Sequence, residues 1–270
     1  ANIACGGHVG NHQTVQETIR LAMKHEVKIG AHPSYPDPEN FGRTSMKLST
    51  QDLIASLTEQ IGLVKMCAEK EGGVLHHVKP HGALYNDAIQ NEEIASAILE
   101  SVKNIDKSLK IITLNNSKIL YLSGEDFEVK LEAFADRNYN DDGTLVSRKN
   151  DNAILMDPEK VFEHVFKMIS EKKVRTVNRG EIPVFFDTVC VHGDHPNCIR
   201  ILRYLKENFW NWIGKQNRNM DVKLQYKRYS EKSILIEWPP QIDENTLRDI
   251  LLDKKSNENY YNKLNVEVIN

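Results

Sequence analysis

GVLHHVKPHGALYN, residues 73–86, is the stretch from which the fold is read. A short apolar run after a glycine pair takes in His76, His77, Val78 and Lys79, and then Pro80, His81 and Gly82 break the strand pattern. In a strand His76 and His77 point to opposite faces, so one of them faces inward, and Lys79 shares a face with His77. His81 lies beyond the proline, in a loop, where a side chain reaches a ligand, and Gly82 lets the backbone approach one closely. His76 reads more simply as a filler of a polar gap between strand and helix.

The same rhythm of apolar run, polar turn and amphipathic helix recurs outward in both directions. NIAC leads through CGGH to a helix near 12–25 that Asn11 caps and whose apolar face carries Val15, Ile19, Ala22 and Met23. VKIGA leads into a long loop, 32–48, and then a helix opened by Ser49 or Thr50 and closed by Gly72 and Gly73. VLHHVK is paired with a helix near 91–103, KIITL with one near 116–122, KLEAFA with one near 158–172, and PVFFDTVCVH with one near 196–210. Six strand-and-helix units imply parallel pairing and right-handed crossovers, in an open sheet or a closed barrel. Five polar loops, CGGH, GAHPSYPD, VKPHGALYN, EAFADRNY and CVHGDHP, each follow an apolar run. A closed barrel gathers such strand ends around a single pocket, which favours the barrel. A strand missing before Ala1 would bring the count to seven, and both ends of the chain read as clipped.

The totals set bounds on function. With 270 residues, 35 basic and 38 acidic side chains and a net charge of −3, the chain has neither a basic stripe nor an acidic tail, which argues against nucleic acid as a partner. There is no apolar stretch of the ~20 residues that a membrane span needs and no signal pattern at the start, so a soluble, cytoplasmic protein without membrane contact is expected. Cys5, Cys67, Cys190 and Cys198 form no CxxC pair and read as reduced thiols packed as small hydrophobes. Beyond residue 215 the polar linker KQNRNMD gives way to a new pattern, so the domains are expected as 1–215 and 216–270, the second a partial α+β segment.

Several groups could carry chemistry. Gly6 and Gly7 offer backbone donors for an anion, with His8 beside them. The long loop supplies His32, Tyr35, Asp37 and Arg43. FADRNYNDDGTLVSR supplies Asp136, Arg137, Ser147 and Arg148, a mix that suits phosphate or carboxylate, although a salt-bridged surface loop has the same composition. CVHGDHP supplies His192, Asp194 and His195, which could bind zinc with His8, His32 and His81 joining them. The spacing matches no HExxH helix or compact zinc knot, and the chain has neither a Walker loop nor a serine nucleophile elbow.

Taken in order, ANIACGGHVGN, IGAHPSYPD with FGR, HVKPHGALYN, FADRNY with GTLVSR, and CVHGDHP resemble the successive motifs of the LamB/YcsF family, the A subunits of 5-oxoprolinase, from residue 1 to about 210. The resemblance implies a (β/α)7 TIM-like barrel of the glycoside hydrolase/deacetylase type. It also implies ATP-dependent opening of 5-oxoproline to L-glutamate, with ATP and Mg²⁺, alongside the B and C subunits of 5-oxoprolinase. The family's upstream strand DLNxDxGE is absent, Asn11 stands for a usual aspartate, and HGDHP stands for HGDTP. The tail, with YKRYSEKSILIEW, resembles the opening of a KipI-like domain, that of the B component.

On this reading the groups expected at the chemistry are His81, Lys79, His192 and Asp194, with Asp194 orienting a histidine. Substrate and nucleotide would meet His8, His32, Arg43, Tyr85, Asn86, Asp136, Arg137 and Arg148. The competing readings are a divalent-metal hydrolase or deacetylase on a sugar or amide, with His8, His32, His81 and His192 as candidate ligands, and a non-catalytic regulatory subunit.

Overall fold

The computed structural model describes residues 1–216, 233–237 and 266–269, and two compact units divide it: Ala1–Glu132 with Val268–Asn270, and Ala133–Glu267.

In the first unit, strands β1 (Asn2–Ala4), β2 (Ile29–His32), β3 (Leu75–Val78), β4 (Lys110–Thr113) and β5 (Val129–Phe134) lie side by side in sequence order, each parallel to the next. Helices α1 (His12–Lys24), α2 (Thr50–Lys70), α3 (Gly82–Gln90), α4 (Glu92–Ile105) and α5 (Lys118–Ser123) fill the connections. Asn11 caps α1 through a capping box with Thr14, and Ser49 caps α2. Helix α2 buries Leu53, Leu57, Ile61 and Val64, each nearly inaccessible to solvent. Each such side chain contributes roughly 1.5–3 kcal/mol of hydrophobic stabilisation.

The structure adds one helix that periodicity did not show. Residues 82–90 form α3 directly after His81, and α4 then starts from its own cap at Asn91. Gly82 makes this abrupt start possible: its φ is +57°, and a Cβ there would lie 2.4 Å from the Gly42 carbonyl oxygen.

In the second unit β5 runs on, and the Ala135 N–H donates to the Cys190 carbonyl at 2.8 Å, which sets β8 (Thr188–Val191) next to it. Helices α6 (Pro158–Glu171) and α7 (Cys198–Gln216) pack on each other through Phe162, Tyr204 and Phe209. Here the expected long strand PVFFDTVCVH is corrected. Lys173–Arg175 (β6) and Glu181–Pro183 (β7) make a separate antiparallel hairpin, and only Thr188–Val191 joins the parallel sheet. Phe185 is 59% exposed, which explains the break: its ring is not part of the buried strand.

Strand β9 (Ser233–Glu237) pairs parallel with β8, and β10 (Val266–Ile269) follows in the strand order. The boundary expected near residue 216 falls at the edge of the described residues, and the linker after it lies outside them. Six parallel strands, β1 to β5 and β8, each followed by helix, are the repeating pattern of the TIM-like α/β class. Among the described residues no helix is long and apolar enough to cross a membrane. All four cysteines are free and buried, and burial pushes the Cys5 thiol up to about 12.

Candidate functional site

The expected groups fall at strand ends in both units. In the first, three histidines come from three strand ends. The His8 ring stacks on His81 with centroids 3.8 Å apart and planes 8° from parallel, and the His32 ring meets both edge-on. His32 Nδ1 lies 2.6 Å from the Lys79 carbonyl, and its Nε2 lies 3.0 Å from His81 Nδ1. The His81 Nε2 lies 3.0 Å from the Phe41 carbonyl. Burial, and then the neighbouring His81, Lys79 and His8, hold His32 well below the usual imidazole range.

The loop after β2 lies over these rings. Phe41 presents its ring edge-on to His8 and His81, and the Arg43 guanidinium sits 5.0 Å above the Phe41 ring. Two bonds to Asp87 fasten the loop to α3, one from the Tyr35 hydroxyl and one from Ser45, each at 2.9 Å. Asp37 does local work, accepting from the Asn40 side chain to hold the turn.

Lys79 is buried, and its ammonium lies 2.8 Å from a Glu132 carboxylate oxygen, with side chains 2% and 0% exposed. Glu132, on β5, was not singled out by sequence reasoning. Its signal was an acidic residue inside the apolar run KLEAFA, where a strand pattern expects none. Tyr85 is buried with the Lys79 ammonium 6.0 Å from its ring centroid, whereas Asn86 is exposed on α3. His77 donates or accepts through Nε2 to the Asn2 side chain at 2.6 Å, and its other ring nitrogen meets His76 at 3.0 Å, so this pair is spent on strand packing.

In the second unit Asp136 and His192 form a tight pair. The carboxylate accepts from the His192 backbone N–H at 3.0 Å and from ring Nδ1 at 2.8 Å, and the Phe134 ring stacks on the imidazole with planes 17° apart. Burial would raise the Asp136 carboxyl, but the His192 charge and hydrogen bonds outweigh it and hold it far below the usual carboxylate range. An imidazole held at Nδ1 by a buried carboxylate presents Nε2 in a fixed direction, the arrangement that orients a general base.

This corrects the role expected of Asp194. The carboxylate that orients His192 is Asp136, because it follows β5 directly while Asp194 lies on the outer turn. Asp194 instead meets Arg148 at 3.2 Å, both groups partly exposed. Arg137 does not reach outward either: it is 7% exposed and donates to the Val146 and Ala153 carbonyls, so it braces the loop that carries Arg148. His195 bonds the Leu155 carbonyl through Nε2 and accepts the Asn197 N–H at Nδ1, which closes both ring nitrogens on the local backbone. Burial lowers its pKa, as suits a neutral structural ring. Among the described residues no group of three or more His, Cys, Asp or Glu side chains is arranged to hold a metal ion.

A TIM-like α/β fold whose strand ends carry an Asp–His pair and buried histidines defines a class whose chemistry sits at the carboxyl ends of its strands. The chain belongs to the LamB/YcsF family, which it matches over residues 1–220. It is similar to the 5-oxoprolinase A subunit of Pyrococcus horikoshii, 41% identical over 208 residues that cover 77% of this chain and 82% of that protein. The corresponding protein of Haemophilus influenzae, of the same name, is 40% identical, with 77% and 85% covered. Among solved structures, the lactam utilization protein from Thermus thermophilus superposes with a TM-score of 0.71 at 38% identity, covering 77% of this chain and 83% of that one.

Proposed function

We propose that this chain is the A subunit of a cytoplasmic 5-oxoprolinase, which opens 5-oxoproline to L-glutamate at the expense of ATP with Mg²⁺, together with B and C subunits. The observation that carries the reading is the Asp136–His192 pair, a preorganised base at a strand end, in a chain whose relatives are named as A subunits of 5-oxoprolinase.

A five-membered lactam resists water because amide resonance weakens its carbonyl as an electrophile. Transfer of the terminal phosphoryl group of ATP to the lactam oxygen releases ADP and leaves an activated carbon. Water then attacks that carbon, His192 Nε2 takes the water proton, the C–N bond breaks with a proton delivered to nitrogen, and phosphate leaves. Asp136 holds the imidazolium formed in the attack. Arg148 is the group assigned to an oxyanion: its contact with Asp194 is long and partly exposed, so an incoming phosphoryl oxygen can take the place of the carboxylate. In the first unit His81 and Lys79 are assigned to proton and charge handling, and Lys79 serves there through its pair with Glu132.

The test is 5-oxoproline-dependent release of ADP and glutamate by the chain mixed with B and C subunits. Turnover that falls by ~10²-fold or more in His192→Gln is expected from loss of the base. Turnover within twofold of the parent in that variant would remove His192 from the chemistry.

A further inference from the structure

The CGGH turn and the start of the long loop meet at a side chain that the proposed chemistry does not use. Gln60 lies in the middle of α2, on a helix face otherwise made of Leu53, Leu57, Ile61 and Val64, and it is 6% exposed. A buried amide on an apolar stripe costs free energy unless it is bonded. Its Oε1 accepts the Ser34 backbone N–H at 3.0 Å and its Nε2 donates to the Ser34 carbonyl at 2.9 Å and to Ser56 Oγ at 3.1 Å. The side chain therefore grips both backbone groups of one loop residue.

Ser34 carries that grip to a ring. Its hydroxyl donates to the Tyr35 carbonyl at 2.8 Å, so the same oxygen, 2.9 Å from His8 Nδ1, is an acceptor toward the histidine. His8 Nδ1 thus holds a proton, and in the neutral ring Nε2 is the accepting nitrogen. Free imidazole has no such fixed choice. The neighbouring motif fits the same device: a Cβ at Gly7 would lie 2.3 Å from Gln60 Oε1 and 2.6 Å from Ser34 Oγ, so the residue beside His8 has to be glycine for the amide to reach.

We propose that Gln60 is a positioning residue, which through Ser34 fixes His8 in its Nδ1–H form so that Nε2 points as a proton acceptor from the β1 strand end. This rests on the reading of His8 as part of the substrate-contacting wall. Gln60 and Ser34 touch no substrate themselves and act only through the ring.

The experiment is imidazole ¹⁵N NMR on the full chain labelled at histidine, with the His8 signals assigned by their loss in His8→Gln. The parent is expected to show His8 Nδ1 protonated and Nε2 unprotonated at pH 8. Ser34→Ala keeps the Gln60 grip on the backbone but removes the acceptor, and it is expected to shift His8 toward the Nε2–H form, with Ser34→Thr restoring the parent pattern. Gln60→Glu, which keeps an acceptor for the Ser34 N–H but loses both donors, is expected to leave a mixture of the two forms. Gln60→Leu is expected to do the same where it folds. In the turnover assay these variants lower kcat by ~10-fold with KM within about twofold, as misplacement of a proton-handling group does. An Nε2–H form in the parent, or one unchanged His8 form across Ser34→Ala and Gln60→Glu, overturns the proposal. A His8 form that follows the variants while turnover does not would uphold the positioning and count instead against His8 as a substrate contact.

Discussion

At the scale of single residues, the histidines divide by what their ring nitrogens meet. His195 closes both nitrogens on backbone, and His76 with His77 closes on a neighbouring ring and an amide, so these are structural. His192 meets a buried carboxylate and so has a direction and a charge to work with. Sequence could rank none of these, because a histidine at a strand end reads the same whether its partner is a carbonyl or a carboxylate. It did place His8, His32, His81 and His192 at strand ends, where the structure has them.

The structural histidines also predict acid lability. Burial first, then Lys28 and Lys110, lower His76 to about 4, and burial with the chain's amino group holds His77 well below the usual range. In both cases the folded pKa lies below the unfolded value, so the unfolded chain binds more protons and stability falls as pH drops from about 6.5 toward 4. Denaturant titrations at pH 7.5, 6 and 4.5 should show the unfolding midpoint falling over that window with the slope m unchanged. A flat profile would mean that these rings are protonated in the folded state.

At the scale of elements, β5 does the most. It brings Glu132 to Lys79 in the first unit and places Phe134 and Asp136 against His192 in the second. The helices after β1, β2 and β5 were legible from caps and apolar spacing: Asn11, Ser49 and Asp157 all sit where their signals predict. Helix α3 was not, because nine residues opening on a left-handed glycine carry too few turns to show a period. Hairpin β6–β7 was merged with the following strand because Ile182, Val184, Phe185 and Phe186 read as one apolar run.

The Lys79–Glu132 pair gives a prediction at this scale. Lys79→Met strands a carboxylate that is wholly buried, and it should cost about 3–5 kcal/mol in denaturant unfolding. Lys79→Met with Glu132→Leu removes both charges and should recover most of that loss. If the single variant costs under ~1 kcal/mol, the pair does not stabilise the first unit and Lys79 is better placed as a ligand-binding cation. The loop after β2 makes a related prediction: Gly82→Ala forces a Cβ against the Gly42 carbonyl and should destabilise by more than the ~1 kcal/mol of an ordinary left-handed glycine replacement.

At the scale of the whole molecule, fold class followed from the repeat of apolar run, polar turn and helix, and family followed from five motifs in order. Neither needed any one motif to be strong. What the chain leaves to its side-chain partners is which carboxylate serves which histidine: Asp194 sits two residues from His192 in sequence, yet Asp136, 56 residues away, holds it. Adjacency in a loop is weaker than adjacency across parallel strands, since neighbouring strand ends lie about 5 Å apart whatever their sequence separation.

The measurement that bears most directly on this account is the pH dependence of ATP-coupled glutamate release from 5-oxoproline by the chain with B and C subunits, parent against Asp136→Asn. The amide preserves shape but cannot hold an imidazolium or enforce the Nδ1–H form. A loss in kcat of ~10²-fold or more, with unfolding midpoints close to the parent, is the predicted result. Parent-like turnover in Asp136→Asn, with an unchanged profile, would contradict the claim that an Asp136-oriented His192 is the base that opens the lactam.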